Sequence, residues 1–370
     1  MSNYSLIDSK NFYLIYNTIY IFYFLIIIFL IAYNSFNKKV ISNNLGTILS
    51  FLILSCFASV VGYRQFDIGA DTNSYLLIWE NLSSDRDNFE FVFNWLMSLL
   101  KNFGLDYWVF LFLISSLFHF TLLASCKNIS TYYKANVFFI LFLFFSLFFT
   151  LSMSINIIRQ GLSLVVLLYA YSLFLKKDKK SIIYAILACA IHTTSIIPII
   201  IFIISVYFNR FLGLKWLLLI YFSSLVLAFL DFGILNIAPY LSNLLSDNRR
   251  VSYLDASSDI YTVGFKPQFV AFNSVILLFA LIANYYNRYR IDNTFSTNYT
   301  IVLRYYLLSS ALFYFVFQIP YSDRWGLFSW IVIPILIIPY FSREHKLSYF
   351  QFSMALLFGF IFLFFQFLYK

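Results

Sequence analysis

Residues 181–208 read "SIIYAILACAIHTTSIIPIIIFIISVYF", and the way they are drawn decides the layout of everything that follows. As one helix they would measure roughly 42 Å at 1.5 Å per residue, long for a hydrocarbon core of about 30 Å. The middle of the stretch carries His192, Thr193, Thr194, Ser195 and Pro198. Proline and clustered hydroxyls interrupt helices at membrane depth only where neighbouring protein covers the break. The segment therefore reads either as one long helix or as a hairpin of two half-length helices, and loop charge has to decide between them.

The rest of the chain shows why a membrane is the relevant solvent. Of its 370 residues, 62% are hydrophobic and 11% charged, and 48 are Phe; the mean hydropathy is +0.81. A soluble domain has roughly 45–50% apolar residues and about 25% charged. Repeated apolar runs separated by short polar breaks mark a polytopic membrane protein. In hydrocarbon the backbone must satisfy its own hydrogen bonds, so the runs are helices. The alternation of a membrane barrel is absent. The expected fold is all-α and forms one multi-span domain over residues 1–370. Spans fall near residues 14–33, 45–62, 107–125, 135–152, 157–175, 214–230, 269–286, 302–319, 325–341 and 347–369, about ten in all besides the hairpin. The amino terminus, "MSNYSLIDSKNFY", lacks the basic region of a cleaved signal, so the first span is expected to be retained.

Loop charge favours the hairpin. Lys38 and Lys39 put the first connection in the cytoplasm, and alternation puts Lys127, Lys134 and the "KKDKK" run at 176–180 there too. A single crossing by 181–208 would send Arg210, Lys215, Arg288, Arg290, Arg343 and Lys346 outside. A hairpin keeps all of them in the cytoplasm, as the positive-inside bias expects. Residues 63–106 and 231–268 then become the large extracytoplasmic loops. The net charge of +9 follows this loop pattern and forms no dense basic arm, so no nucleic-acid partner is expected. Cys56, Cys126 and Cys189 lie in or beside apolar segments and imply no disulfide framework. No Asp-x-Asp or His/Cys cluster points to a metal, and no cofactor is expected.

Polar residues then stand out against this background. "GYRQFDIGADTNSY" at 62–75 follows the second span and gathers Arg64, Asp71, Thr72 and Tyr75. In "FEFVFNWLMSLLKNF", Glu90, Asn94, Ser98 and Lys101 recur at helical spacing, a polar stripe suited to a helix lying in the interface. Arg159 opens the fifth span beside Gln160 and Gly161, His192 sits at the hairpin turn, and Asp323 and Arg324 occupy the short turn "YSDRWG". Charged groups are costly inside a bilayer, so such residues tend to line a cavity or pathway. Each also has a purely structural reading. Arg64 and Arg159 snorkel at span ends, Asp71 caps a helix, His192 is a buried histidine with a satisfied hydrogen bond, and Asp323 and Arg324 form an interfacial pair.

The order "GYRQFDIGADTNSY", then "FEFVFNWLMSLL", then "NIIRQGLSLVVLLYAYSLF", then the lysine-rich loop and "AIHTTSIIPII" resembles the EpsG family, membrane proteins of bacteria similar to the Wzy-type polymerases of O-antigen and capsule. The likeness covers roughly residues 60–200. It implies that Arg64, Asp71, Thr72, Tyr75, Glu90, Arg159, Gln160 and His192, with Thr194 or Ser195, are the family's functional positions; beyond 200 only hydropathy and "DRWG" support it. It also implies a multi-pass protein of the bacterial cytoplasmic membrane that joins undecaprenyl-pyrophosphate-linked oligosaccharide repeat units on the outer side. The product would be exopolysaccharide, capsule or O-antigen, with a chain-length regulator as a further expected partner. For such a glycosyltransferase, Arg64 and Arg159, with Arg324, would meet the departing pyrophosphate. His192 or Asp71 would take the acceptor proton, and Thr72, Tyr75, Glu90, Gln160, Asp323 and Arg324 would bind substrate without a metal. Two rival readings stand beside it. A flippase for the same lipid-linked glycan would want internal repeats and balanced loops. A membrane acyltransferase built on His192 would want an acidic partner, which "IHTTS" lacks.

Overall fold

The computed structural model describes residues 6–37, 42–81, 90–208, 213–236, 263–290, 293–341 and 348–364. Among them the chain is helical, with the isolated bridge of Ile7 to Arg64 as its extended pairing. The helices are α1 (Ser9–Asn37), α2 (Asn43–Gly62), α3 (Ala70–Glu80), α4 (Phe91–Asn102), α5 (Tyr107–Tyr132), α6 (Val137–Phe145), α7 (Phe148–Ile155), α8 (Ile158–Leu175) and α9 (Lys180–Ile191). A 3₁₀ turn at Thr193–Ser195 leads into α10 (Ile196–Tyr207) and α11 (Leu214–Phe229). Then come α12 (Pro267–Arg290), α13 (Asn293–Phe315), α14 (Asp323–Trp330), α15 (Ile333–Ile337), a second 3₁₀ turn at Ile338–Phe341, and α16 (Ser348–Leu363). They form two compact units, Met1–Ile196 with Ile338–Lys370, and Ile197–Ile337.

In the first unit, α1 shows what the apolar sequence does. Phe12, Tyr16, Tyr20, Tyr23, Ile27 and Ile31 make a buried stripe at steps of three and four, while Leu14, Phe22, Leu25 and Phe29 stay exposed. A helix that is apolar on both its packed and its open face suits lipid. Its tyrosines find polar partners where they are buried. Tyr20 Oη pairs with Ser146 Oγ at 2.7 Å, and Tyr23 Oη donates to the Phe138 carbonyl. Ile7 N donates to Tyr63 O and Gln65 N to Ile7 O, both at 2.9 Å. These bonds hold the start of α1 against the end of α2, so the two helices run antiparallel. α2 packs on α5, and α8 lies between α5 and α9.

The apolar run expected to span at 135–152 is broken. α6 and α7 meet at Ser146–Leu147 with a bend of 78°. All nine residues of α6 are buried, so protein covers the break. Hydroxyls take up carbonyls there: Ser146 Oγ donates to Phe142 O at 2.8 Å, and Thr150 Oγ1 donates to Phe144 O. A helix can break at membrane depth under just those conditions.

Among the described residues six helices are long and apolar enough to cross a membrane, or seven if the bent pair is one span. The expected count of about ten is not confirmed among the described residues. α11 and α16 have 16 residues each, about 24 Å against a core of about 30 Å. The first half of α13 carries Asn293, Thr294, Ser296, Thr297, Asn298, Thr300 and Arg304, which dilute its hydropathy. Segment 181–208 is not one long helix: it breaks at His192 into α9 and α10, 12 residues each. Lys38, Lys39, Arg210, Arg343 and Lys346, which entered the loop reading, lie outside the described residues, as do parts of the two large loops expected at 63–106 and 231–268.

In the second unit, α11 and α14 pack on α13. Tyr221 Oη pairs with Tyr314 Oη at 2.7 Å, and Asn273 links α12 to two partners. Its Oδ1 accepts from Trp330 Nε1 at 2.8 Å and its carbonyl from Tyr306 Oη at 2.9 Å. Buried phenol and indole groups need such partners.

Candidate active site

α7 is the element against which the site of the first unit is built. At Gly69, where φ is +94°, a Cβ would lie 2.2 Å from Ile155 O, and at Gly161 a Cβ would lie 2.1 Å from Met153 O. Only glycine lets the loop before α3 and the start of α8 come this close to the α7 backbone. Asn156, just past α7, accepts from Ala70 N at 3.1 Å and so serves the first turn of α3. The segments that carry Thr72 and Arg159 are thereby both brought against the one short helix α7.

Arg64 does its work inside this corner. It is 1% exposed. Its Nε donates to Ile68 O at 3.2 Å, its Nη2 to Thr72 Oγ1 at 2.9 Å, and its Nη1 to Val61 O. Thr72 passes its own proton to Ile68 O at 2.9 Å, and the Thr72 carbonyl accepts from Tyr107 Oη at 2.7 Å. Burial pushes the Arg64 guanidinium down to about 10, so it still carries its charge at neutral pH. The group ties the end of α2, the loop and the first turn of α3 into one piece.

One turn along α3, Tyr75 is 4% exposed and donates to Asp71 Oδ2 at 3.0 Å. The same hydroxyl accepts from Arg159 Nε at 3.2 Å. Arg159 Nη1 reaches Glu90 Oε2 at 2.6 Å, and the other carboxylate oxygen, Oε1, lies 2.8 Å from His192 Nδ1. Thr193 adds its N–H and hydroxyl to Oε1 at 3.3 and 3.4 Å. A continuous chain of polar contacts thus runs Asp71, Tyr75, Arg159, Glu90, His192. It joins residues up to 121 positions apart (192 − 71).

Glu90 is the hub, and its backbone explains why it is available. It occupies the N-cap of α4 but makes no side-chain cap bond. A shorter Ser or Asp there would normally turn back onto its own helix. α4 is held by burial of Phe93, Met97 and Leu100. Lys101 Nζ, from the polar stripe, donates to Trp79 O at 2.5 Å and Glu80 O at 3.0 Å, fixing α4 to the end of α3. Burial works against the Glu90 charge. The His192 hydrogen bond and the Arg159 charge outweigh it and hold the carboxyl at about 2.

The Glu90 carboxylate also orients the histidine, 2.8 Å from its Nδ1. An ionised carboxylate only accepts, so the proton facing it must sit on His192 Nδ1. In the neutral ring Nε2 then carries the lone pair. His192 has extended φ and ψ of −152° and 117° between α9 and the 3₁₀ turn, which turns the ring out of the helix line. Its side chain is 17% exposed, Glu90's 14% and Arg159's 24%, so the group is sheltered yet reachable. Thr194 Oγ1 is buried without a hydrogen-bond partner among the described residues. Gln160 is buried at 5% exposure.

The pattern of the EpsG family matches residues 47–370. The chain belongs to the EpsG family. Comparison with curated proteins and with solved structures gave no match. Membership and the apolar helices together make this EpsG protein a multi-pass membrane protein of polysaccharide biosynthesis.

Of the residues singled out from sequence, Asp71, Tyr75, Glu90, Arg159 and His192 meet in the chain of contacts, and Arg64 with Thr72 forms its foundation. Asp323 and Arg324 belong to the second unit. There the Arg324 guanidinium lies 4.7 Å from the Tyr321 ring centroid, and Lys266 Nζ donates to Ser322 Oγ at 2.6 Å. Among the described residues no three His, Cys, Asp or Glu side chains gather around one point as metal ligands would. Sequence reading passed over Asn156, and it saw Lys101 only as part of a stripe. Both act on backbone groups of α3, 86 and 21 or 22 residues away, and spacing alone carries no sign of such contacts.

Proposed function

We propose that this EpsG protein is a repeat-unit polymerase of the cytoplasmic membrane. It transfers a growing glycan from undecaprenyl pyrophosphate to the sugar end of another lipid-linked unit on the outer side. The observation that carries the reading is the Glu90–His192 pair at 2.8 Å. Glu90 holds the imidazole by Nδ1–H, and Nε2 accepts the proton of the acceptor hydroxyl as its oxygen attacks the donor's anomeric carbon. The C–O bond to pyrophosphate breaks as the new glycosidic bond forms, and the lipid pyrophosphate leaves with the electron pair. A base held in this way contributes about 10²–10⁴ in rate. Arg159, a quarter exposed, offers positive charge to the leaving group while Glu90 and Tyr75 fix its orientation.

The acyltransferase reading gains one point from the same pair. The acid that "IHTTS" lacks is supplied by Glu90 from 102 residues away. The test separates the two. Purified full-length protein in lipid vesicles receives one defined lipid-linked repeat unit, and the products are resolved by length. A ladder of longer glycans with release of undecaprenyl pyrophosphate supports the polymerase. Unchanged length with acyl transfer from an added acyl donor would replace it by the acyltransferase, and unchanged length with movement across the bilayer by the flippase.

A further inference from the structure

Ser163 lies four residues after Arg159 on α8, hence on the same helix face. It is wholly buried, at 0% exposure, as is Ser195. Ser163 Oγ donates to Ala188 O at 2.8 Å, and that carbonyl also accepts the backbone N–H of His192 at 2.9 Å. Ser163 Oγ pairs with Ser195 Oγ as well. A serine has one hydroxyl proton. Since that of Ser163 goes to Ala188, Ser195 donates in the second bond. One hydroxyl on α8 therefore grips the chain on both sides of His192, four residues before it and three after.

These contacts close a ring. From α8 the path runs through Arg159 to Glu90, on to His192, along the backbone to Ala188 and Ser195, and back through Ser163 to α8. The break in the 181–208 segment gives His192 an extended backbone, held by its own N–H to Ala188 O and by the Ser195 N–H to its carbonyl. Ser163 ties both of those flanking residues, Ala188 and Ser195, to the helix that carries Arg159. We infer that Ser163 is a positioning residue of the catalytic apparatus, clamping the broken segment so that His192 stays in register with Glu90 and Arg159. The inference rests on the polymerase reading for its kinetic consequence and on geometry alone for its structural one.

The experiment uses the full-length protein in vesicles, as wild type, Ser163→Ala and Ser195→Ala, each also in a His192→Gln background. Two quantities are read. The first is the rate at which diethyl pyrocarbonate modifies His192, followed by mass spectrometry of its peptide. The second is kcat and KM on the defined lipid-linked repeat unit. Ser163→Ala is expected to speed His192 modification severalfold and to lower kcat about 10- to 100-fold at unchanged KM, as loss of alignment does. Ser195→Ala, which keeps the Ala188 bond, should move both in the same direction by less. In the His192→Gln background Ser163→Ala should cost little more, because the residue it aligns is gone. Wild-type modification kinetics in Ser163→Ala, or an equal loss of kcat in both backgrounds, would overturn the inference, since a merely structural serine would act without regard to His192. If the wild type joins no units, the polymerase reading fails by itself and the modification rate alone decides the clamp.

Discussion

Glu90 is the residue whose charge state organises the site, and the first of two predictions at this scale belongs to it. Its carboxyl is held at about 2 in the folded protein against 4.5 for an ordinary glutamate. A group depressed on folding stabilises the protein above its unfolded value and loses that contribution as pH falls through its folded one. Wild type should therefore exceed Glu90→Gln in stability by on the order of 2–3 kcal/mol at pH 6, with the gap closing between pH 4.5 and 2. Unfolding in detergent as a function of pH measures it, and a gap constant across that range would mean that Glu90 is not paired in the folded state. The second prediction contrasts the two arginines. Arg64 satisfies two carbonyls and a hydroxyl in a buried corner, so Arg64→Ala should lower stability by about 3 kcal/mol or more along with activity. Arg64→Lys, having no planar fork, should recover little. Arg159→Ala should cut turnover 30-fold or more, about 2 kcal/mol in the barrier, with a smaller loss of stability. Equal thermal midpoints for Arg64→Ala and wild type would refute the structural role given to Arg64.

At the scale of elements, the corner formed by α3, α7 and α8 is where local sequence and tertiary contact divide. Arg64, Asp71, Thr72 and Tyr75 were visible because charged and hydroxyl groups crowd one short stretch after an apolar run. Glu90 and Lys101 showed in the periodicity of α4. The direction in which Glu90 points was not legible, because its partners lie 69 and 102 residues away and spacing within α4 cannot reveal them. The bend between α6 and α7 was hidden too. "VFFILFLFFSLFFTLSMSI" has the hydropathy of one span, and its marks of a break are Ser146 and Thr150, whose hydroxyls are common inside membrane helices. The same corner yields a prediction. Gly69→Ala places a Cβ against Ile155 O in a backbone of positive φ, and it should cost about 1–3 kcal/mol while displacing α3. The thermal midpoint should fall, and turnover more steeply than Gly104→Ala, whose Cβ meets nothing within 4 Å. Equal effects at both glycines would mean that φ alone, and not the approach of α7, sets the cost.

For the whole molecule, composition settled the class of protein and left the layout open. Sixty-two per cent hydrophobic residues force a helical membrane protein. Whether each apolar run crosses depends on length and on breaks that only neighbouring helices can support, which is why α11, α16 and the α6–α7 pair were read as ordinary spans. The break at His192 was legible because its polar residues and proline are costly in lipid. Its outcome for sidedness is a prediction: with Cys56, Cys126 and Cys189 replaced, an impermeant thiol reagent added outside intact cells should label Asp231→Cys and Asn81→Cys but not Lys215→Cys. Labelling of Lys215→Cys with protection of Asp231→Cys would show that 181–208 crosses the membrane once. The central claim, that a histidine aligned by a distant glutamate joins lipid-linked glycans, meets its most direct test in turnover. Initial rates of glycan lengthening are measured in vesicles on one lipid-linked repeat unit for wild type, His192→Gln, Glu90→Gln and the double variant. Glutamine keeps hydrogen-bonding capacity but cannot act as the base. The account predicts losses of about 10²-fold or more for His192→Gln, a smaller loss for Glu90→Gln, and a double variant no slower than His192→Gln alone. A His192→Gln enzyme that lengthens glycan at the wild-type rate would contradict it.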